Sequence, residues 1–103
     1  MQVLFRTEKE KLTVYLSGDI DHHTSAHIRQ AVDEQLQKIM PKELRLDFRD
    51  VHFMDSSGVG LVMGRYKAAS VYGCKVVVCS MPDNVARIMR MSGLGKIIEF
   101  EED

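Results

Sequence analysis

The chain has 103 residues, 45% hydrophobic and 28% charged, with a formal net charge of −1. That length carries one domain whose core needs no staple, and the composition is that of an ordinary soluble globule. The near-zero charge argues against a nucleic-acid binder, which usually shows a basic face, and no apolar run approaches the roughly 18 residues of a membrane helix.

The start, Met1-Gln2-Val3-Leu4-Phe5-Arg6, lacks the basic and apolar regions of a signal peptide, so the cytoplasm is the expected compartment. Leu12, Val14 and Leu16 alternate with Thr13, Tyr15 and Ser17, which predicts a strand with one face inward. The less regular Val3-Leu4-Phe5 is its expected partner, with Glu8-Lys9-Glu10-Lys11 turning between them. Gly18-Asp19-Ile20-Asp21 closes the second strand. The period then changes. Ile28, Ala31, Val32, Leu36 and Ile39 recur at helical steps, with Asp21 or Thr24 as the N-cap and Pro41 past the last turn. Leu44, Leu46 and Phe48 alternate with Arg45 and Asp47 and predict a third strand.

After Asp55-Ser56-Ser57, a helix is expected to run to about Val71, with Val59, Val62, Met63 and Tyr66 on one face and Tyr72-Gly73 ending it. Arg65 and Lys67 fall on its predicted exposed side. Val76-Val77-Val78 is a continuous apolar run, as in a strand covered on both faces. Pro82 opens a third helix, Val85, Ile88 and Met89 form its stripe, and Gly93 caps its end. Ile97, Ile98 and Phe100 predict a short last strand. The order β-β-α-β-α-β-α-β implies an α/β fold over residues 1–103. Its sheet is mixed but mostly parallel, of four to five strands, with helices packed on it.

Cys74 and Cys79 flank the Val76–Val78 strand. Five steps along a strand span roughly 17 Å and reverse the face, whereas a disulfide needs Cα atoms within about 7 Å. No second ligand pair stands at zinc-site spacing. Two free, largely buried thiols are expected, and no cofactor. The seven methionines, Met63 and Met89 among them, read mostly as core filler.

Two loops concentrate polar chemistry. Phe53-Met54-Asp55-Ser56-Ser57-Gly58-Val59-Gly60 puts two hydroxyls and a carboxylate where a strand gives way to a helix. Amides exposed at a helix N-terminus favour an anion, so a serine there suits phosphorylation. One phosphate adds about −1.5 to −2 charges. Gly58, Gly60 and Gly64 stand close together although glycine costs about 1 kcal/mol inside a helix. They imply either tight packing of helix on sheet, the plainer explanation for Gly60 and Gly64, or room for a partner to reach the serines. Asp19-Ile20-Asp21-His22-His23-Thr24 is a second polar loop. Adjacent histidines at a helix start diverge, so a cap is expected there and not a metal site. A serine hydrolase is disfavoured, because Asp55-Ser56-Ser57-Gly58 is no G-x-S-x-G elbow and nothing marks a base.

Four segments together resemble a known family: Gly18-Asp19-Ile20-Asp21-His22-His23-Thr24, Phe53 to Gly60, Gly64-Arg65-Tyr66-Lys67 and Met91-Ser92-Gly93-Leu94. They are similar to STAS-domain anti-sigma factor antagonists of spore-forming bacteria, with the Asp-His-His-Thr and Gly-Arg-Tyr-Lys segments pointing to the sporulation branch. The resemblance covers nearly the whole chain. It implies a single STAS domain and a non-enzymatic binding role, with Ser56 as phosphoacceptor. The implied partner is an anti-sigma factor that is also an ATP-dependent serine kinase. Binding by the unphosphorylated form frees a sigma factor, phosphorylation ends binding, and a PP2C-type phosphatase resets the switch. Asp21, His22 and Thr24 with Asp55, Ser56, Ser57 and Gly58 are the implied interface, and the free domain is expected to be a monomer. A phosphate on Ser56 is expected to meet the carboxylates of Asp55 and Asp21 and to find the second helix's own amides. Two departures stand out. Val59 takes a place where leucine is commoner, and the chain reaches Glu101-Glu102-Asp103 where relatives often continue into a last helix. The alternatives are a general stress-response antagonist and a small-ligand-binding STAS module.

Overall fold

A computed structural model describes residues 2–101. Five strands form one sheet in the order β1-β2-β3-β4-β5. They are β1 (Gln2–Glu8), β2 (Lys11–Ile20), β3 (Glu43–Met54), β4 (Lys75–Cys79) and β5 (Glu99–Glu101). β1 runs antiparallel to β2, and every later pairing is parallel. The connections carry α1 (His22–Ile39), α2 (Ser57–Ser70) and α3 (Asp83–Met91). The expected α/β order and mixed sheet are therefore present, and Glu102 and Asp103 lie outside the described residues.

Alternation explains β2: Leu12, Val14 and Leu16 are buried and Tyr15 between them is exposed. β3 begins the same way with Leu44, Leu46 and Phe48, but its next buried residues are Val51 and Met54. Two register shifts against β2 account for the longer steps. Each bulge adds a residue to β3 and brings the next apolar side chain back to the core face. Gly18, at φ 100°, supplies the left-handed backbone at the second shift. The strand thus reaches Met54, six residues past the Leu44–Phe48 alternation.

The core lies between this sheet face and the helices. Ile28, Val32 and Leu36 of α1 and Leu61, Val62 and Ala69 of α2 meet the strand residues there. On the opposite face Arg45 pairs with Glu43 and Glu101, and Lys75 pairs with Glu99. Val77 and Cys79, only 1% and 4% exposed, sit in register between these charged residues. β4 is thus buried on both faces as its apolar run predicts. Cys74 and Cys79 are both free and buried.

Four local expectations change. α2 turns Gly58, Leu61, Val62, Arg65 and Ala69 inward, leaving Val59, Met63 and Tyr66 only half-buried, because the helix packs against both α1 and the sheet. Pro82 is the N-cap of α3, in extended conformation, and not its first helical residue. Ile97 and Ile98 precede β5. Gly93 at φ 81° and a 3-10 turn over Leu94–Lys96 bring the chain back first. Met54 and Met89 are core residues, but Met40 and Met91 are 59% and 81% exposed at the ends of α1 and α3.

Candidate functional site

Parallel strands put their carboxyl ends along one edge of the sheet. Ile20 and Met54 are register partners at that edge, so the loops after β2 and β3 leave side by side. The Asp55 amide donates to the Ile20 carbonyl at 3.1 Å and ties them together.

Asp21 and Thr24 resolve the cap as a pair. The Asp21 carboxylate accepts from the His23 and Thr24 amides, each at 2.9 Å, and the Thr24 hydroxyl accepts from the Asp21 amide at 2.9 Å. This reciprocal box satisfies three donors at the start of α1. The Thr24 amide in particular holds the Asp21 carboxyl below its ordinary pKa of 3.8. The His22 and His23 rings lie 6.1 Å apart at 62° and do not converge. Among the described residues no cluster of His, Cys, Asp or Glu could hold a metal ion.

The second loop separates its two serines. Ser56 is exposed, and its hydroxyl caps no amide of α2. Ser57 is half-buried and lines a groove between α1 and α2. Asp55 does the capping: its carboxylate takes the Ser57 amide at 2.8 Å and its carbonyl the Gly58 amide at 3.0 Å. The amides expected to hold a phosphate are therefore already engaged. Gly58 is buried, and a Cβ there would overlap Met54 Sδ. No imidazole hydrogen-bonds either serine among the described residues.

Gly60 and Gly64 are different from Gly58. A Cβ at either position would meet no atom within 4 Å. Tight packing of helix on sheet is thus not their reason, and both border the groove. Arg65 reverses its expected place. Only 6% exposed, it points inward beside Asp33, with Nε and Oδ1 2.8 Å apart but off-line for a hydrogen bond. Burial, the larger effect, and the neighbouring Arg29 both lower its pKa. Lys67 is exposed as expected.

The sequence reading missed Arg29, which borders the groove from α1. The signal was its spacing. His22, Ser25, Ala26 and Arg29 recur at helical steps, and Ser57, Gly60 and Gly64 do so on α2, so each helix shows the other a small or polar stripe. Phe53, 51% exposed, stands at the same sheet edge.

The STAS domain family model matches residues 2–103. The chain belongs to the STAS domain family. It is 39% identical over 103 residues to the anti-sigma F factor antagonist of Paenibacillus polymyxa, covering 100% of this chain and 88% of that protein. It is 28% identical over 97 residues to the anti-sigma-B factor antagonist of Listeria monocytogenes, covering 91% and 82%. Among solved structures, the anti-sigma factor antagonist SpoIIAA in its unphosphorylated form superposes with a TM-score of 0.86 at 25% identity. That match covers 99% of this chain and 88% of the other. The STAS sheet and helices thus supply the frame for both polar loops.

Proposed function

We propose that this STAS domain is an anti-sigma factor antagonist controlled by phosphorylation of Ser56. The observation that carries the reading is the Ser56 hydroxyl. It is exposed, engaged in no cap, and set on a loop bonded to the loop of Asp21. A kinase can reach it without disturbing the fold. Relatives named as antagonists of anti-sigma factors support the binding role.

In this reading the unmodified edge, from Asp21, His22 and Thr24 to Asp55, Ser56, Ser57 and Gly58, packs on an anti-sigma factor that is also a serine kinase. Its docking displaces the sigma factor. Phosphate on Ser56 then adds about −1.5 to −2 charges beside the Asp55 carboxylate, which already occupies the end of α2. Desolvating that charge in the interface is costly. A loss of about 3 kcal/mol weakens binding roughly a hundredfold. A PP2C-type phosphatase restores the binding form. Greater identity to an anti-sigma F antagonist than to an anti-sigma-B one favours the sporulation branch.

The test is intact-mass spectrometry after incubation with the cognate anti-sigma kinase and Mg-ATP, with site mapping. One phosphate on Ser56 is expected. Ser56→Ala is expected to bind and escape the switch, and Ser56→Asp to bind weakly. Phosphate uptake abolished by Ser57→Ala but retained by Ser56→Ala moves the acceptor to Ser57. Parallel reactions with kinases of the sporulation and stress-response systems separate the two branches.

A further inference from the structure

Beyond the serine itself, the groove between α1 and α2 has a chemistry of its own. Its volume is about 560 Å³. Arg29 and His22 border it from α1, and Ser57, Gly60, Gly64 and Arg65 from α2. No carboxylate lines it, although the chain carries 15 acidic residues against 14 basic ones.

Three observations converge there. Arg65 is more than nine-tenths buried, and its Nε, 2.8 Å from Asp33 Oδ1, is off-line for a hydrogen bond. Arg29 is exposed in the groove and forms no ion pair among those residues. Both arginines border the same groove, and Asp33 is the one carboxylate paired with either of them among the described residues. A positive charge is therefore left over. Gly60 and Gly64, in turn, expose one turn of α2 backbone, about 6 Å long, to open space. Glycine there costs helix stability and gains no packing inside the domain.

We infer that this groove receives an acidic segment of the anti-sigma factor, its Asp or Glu carboxylate reaching Arg29 and Arg65 while its backbone lies on Gly60 and Gly64. A bare helical turn suits the close approach of a chain more than that of a small anion. Through Ser57 the groove is continuous with the Ser56 loop, so one docked surface spans both. The inference rests on the proposed antagonist role, and it adds the chemistry that the partner must present.

The experiment titrates the cognate anti-sigma factor against wild type, Arg29→Ala, Arg29→Glu and Ser56→Asp, at several salt concentrations. Arg65 is left intact because its removal would strand Asp33 and perturb the fold. Arg29→Ala is expected to weaken binding about tenfold and Arg29→Glu about a hundredfold, with unchanged thermal melts. Arg29→Ala also flattens the salt dependence. An Asp or Glu to Arg substitution in the anti-sigma factor is expected to restore binding to Arg29→Glu. If Arg29→Glu binds within about twofold of wild type while Ser56→Asp has lost binding, the groove inference falls and the switch stands. Weakening that no acidic position of the anti-sigma factor rescues overturns the acidic occupant. A wild-type chain that neither binds nor takes up phosphate overturns both proposals.

Discussion

Gly58, Gly60 and Gly64 share one helix and have two different reasons to be glycine. At position 58 the reason is internal, because the Met54 side chain occupies the space a Cβ would need. Met54 is itself 2% exposed and has little room to retreat. Gly58→Ala is expected to destabilise the domain by about 1–3 kcal/mol, the usual range for overpacking. At positions 60 and 64 the space is open. Alanine there is expected to stabilise the helix by up to about 1 kcal/mol each, while a methyl group in the groove weakens partner binding. Urea unfolding of the three variants, paired with binding titrations, checks this. If Gly60→Ala and Gly64→Ala destabilise the fold as Gly58→Ala does, the contrast is lost. The same residue-scale logic sorts the serines. Asp55 caps α2, so Ser56 is spared a structural duty that its position would otherwise assign it.

At the scale of elements, the strands and helices were legible because their periods are clean. The Leu12–Leu16 alternation and the Ile28–Leu36 stripe each found the buried face. The misses have physical causes. Arg65 looked like surface because its charge is neutralised by Asp33 on another helix, a pairing that no local pattern records. The alternation that marks β3 stops at Phe48 because bulges beyond it change the period from two to three. Ile97 and Ile98 looked like strand because a 3-10 turn is too short to show a period of its own. The apolar run of β4 was read correctly, and it carries a prediction for the thiols. Burial, the leading cause for both, raises Cys74 and Cys79 above their ordinary value of 9.0. Below that pH both thiols are neutral in either state and stability is indifferent to them. As pH rises through it, the unfolded chain ionises first, so stability falls. Ellman's reagent at pH 8 is expected to leave the native thiols unmodified and to modify both in urea. Rapid reaction of either one without unfolding would show that β4 opens to solvent.

For the molecule as a whole, composition and period showed two separate polar loops, and only the family resemblance joined them into one proposed interface. Asp21 and Ser56 are far apart in sequence. Only the parallel β2–β3 pairing and the Asp55–Ile20 hydrogen bond make them neighbours. The groove needs both helices together, so neither stripe announced it alone. This architecture bears on how a phosphate acts. The first two amides of α2 are held within the loop by Asp55, and Asp21 holds the start of α1 in the same way. Both loops are thus stapled before any modification, on strands whose apolar sides lie in the core. On the proposed reading, a phosphate on exposed Ser56 would shift a formal net charge of −1 to about −2.5 to −3 without displacing a buried side chain. The expected result is a surface with changed charge on an unchanged scaffold. Amide NMR of the phosphorylated and unmodified forms should show shifts confined to Asp21–Thr24, Asp55–Gly60 and the walls of the groove. Amides of β4, α3 and β5 should keep their positions. Shifts spread through β4 and α3 would mean that the phosphate breaks the Asp55 cap and turns α2. Weakened binding would then come from a moved helix and not from charge alone.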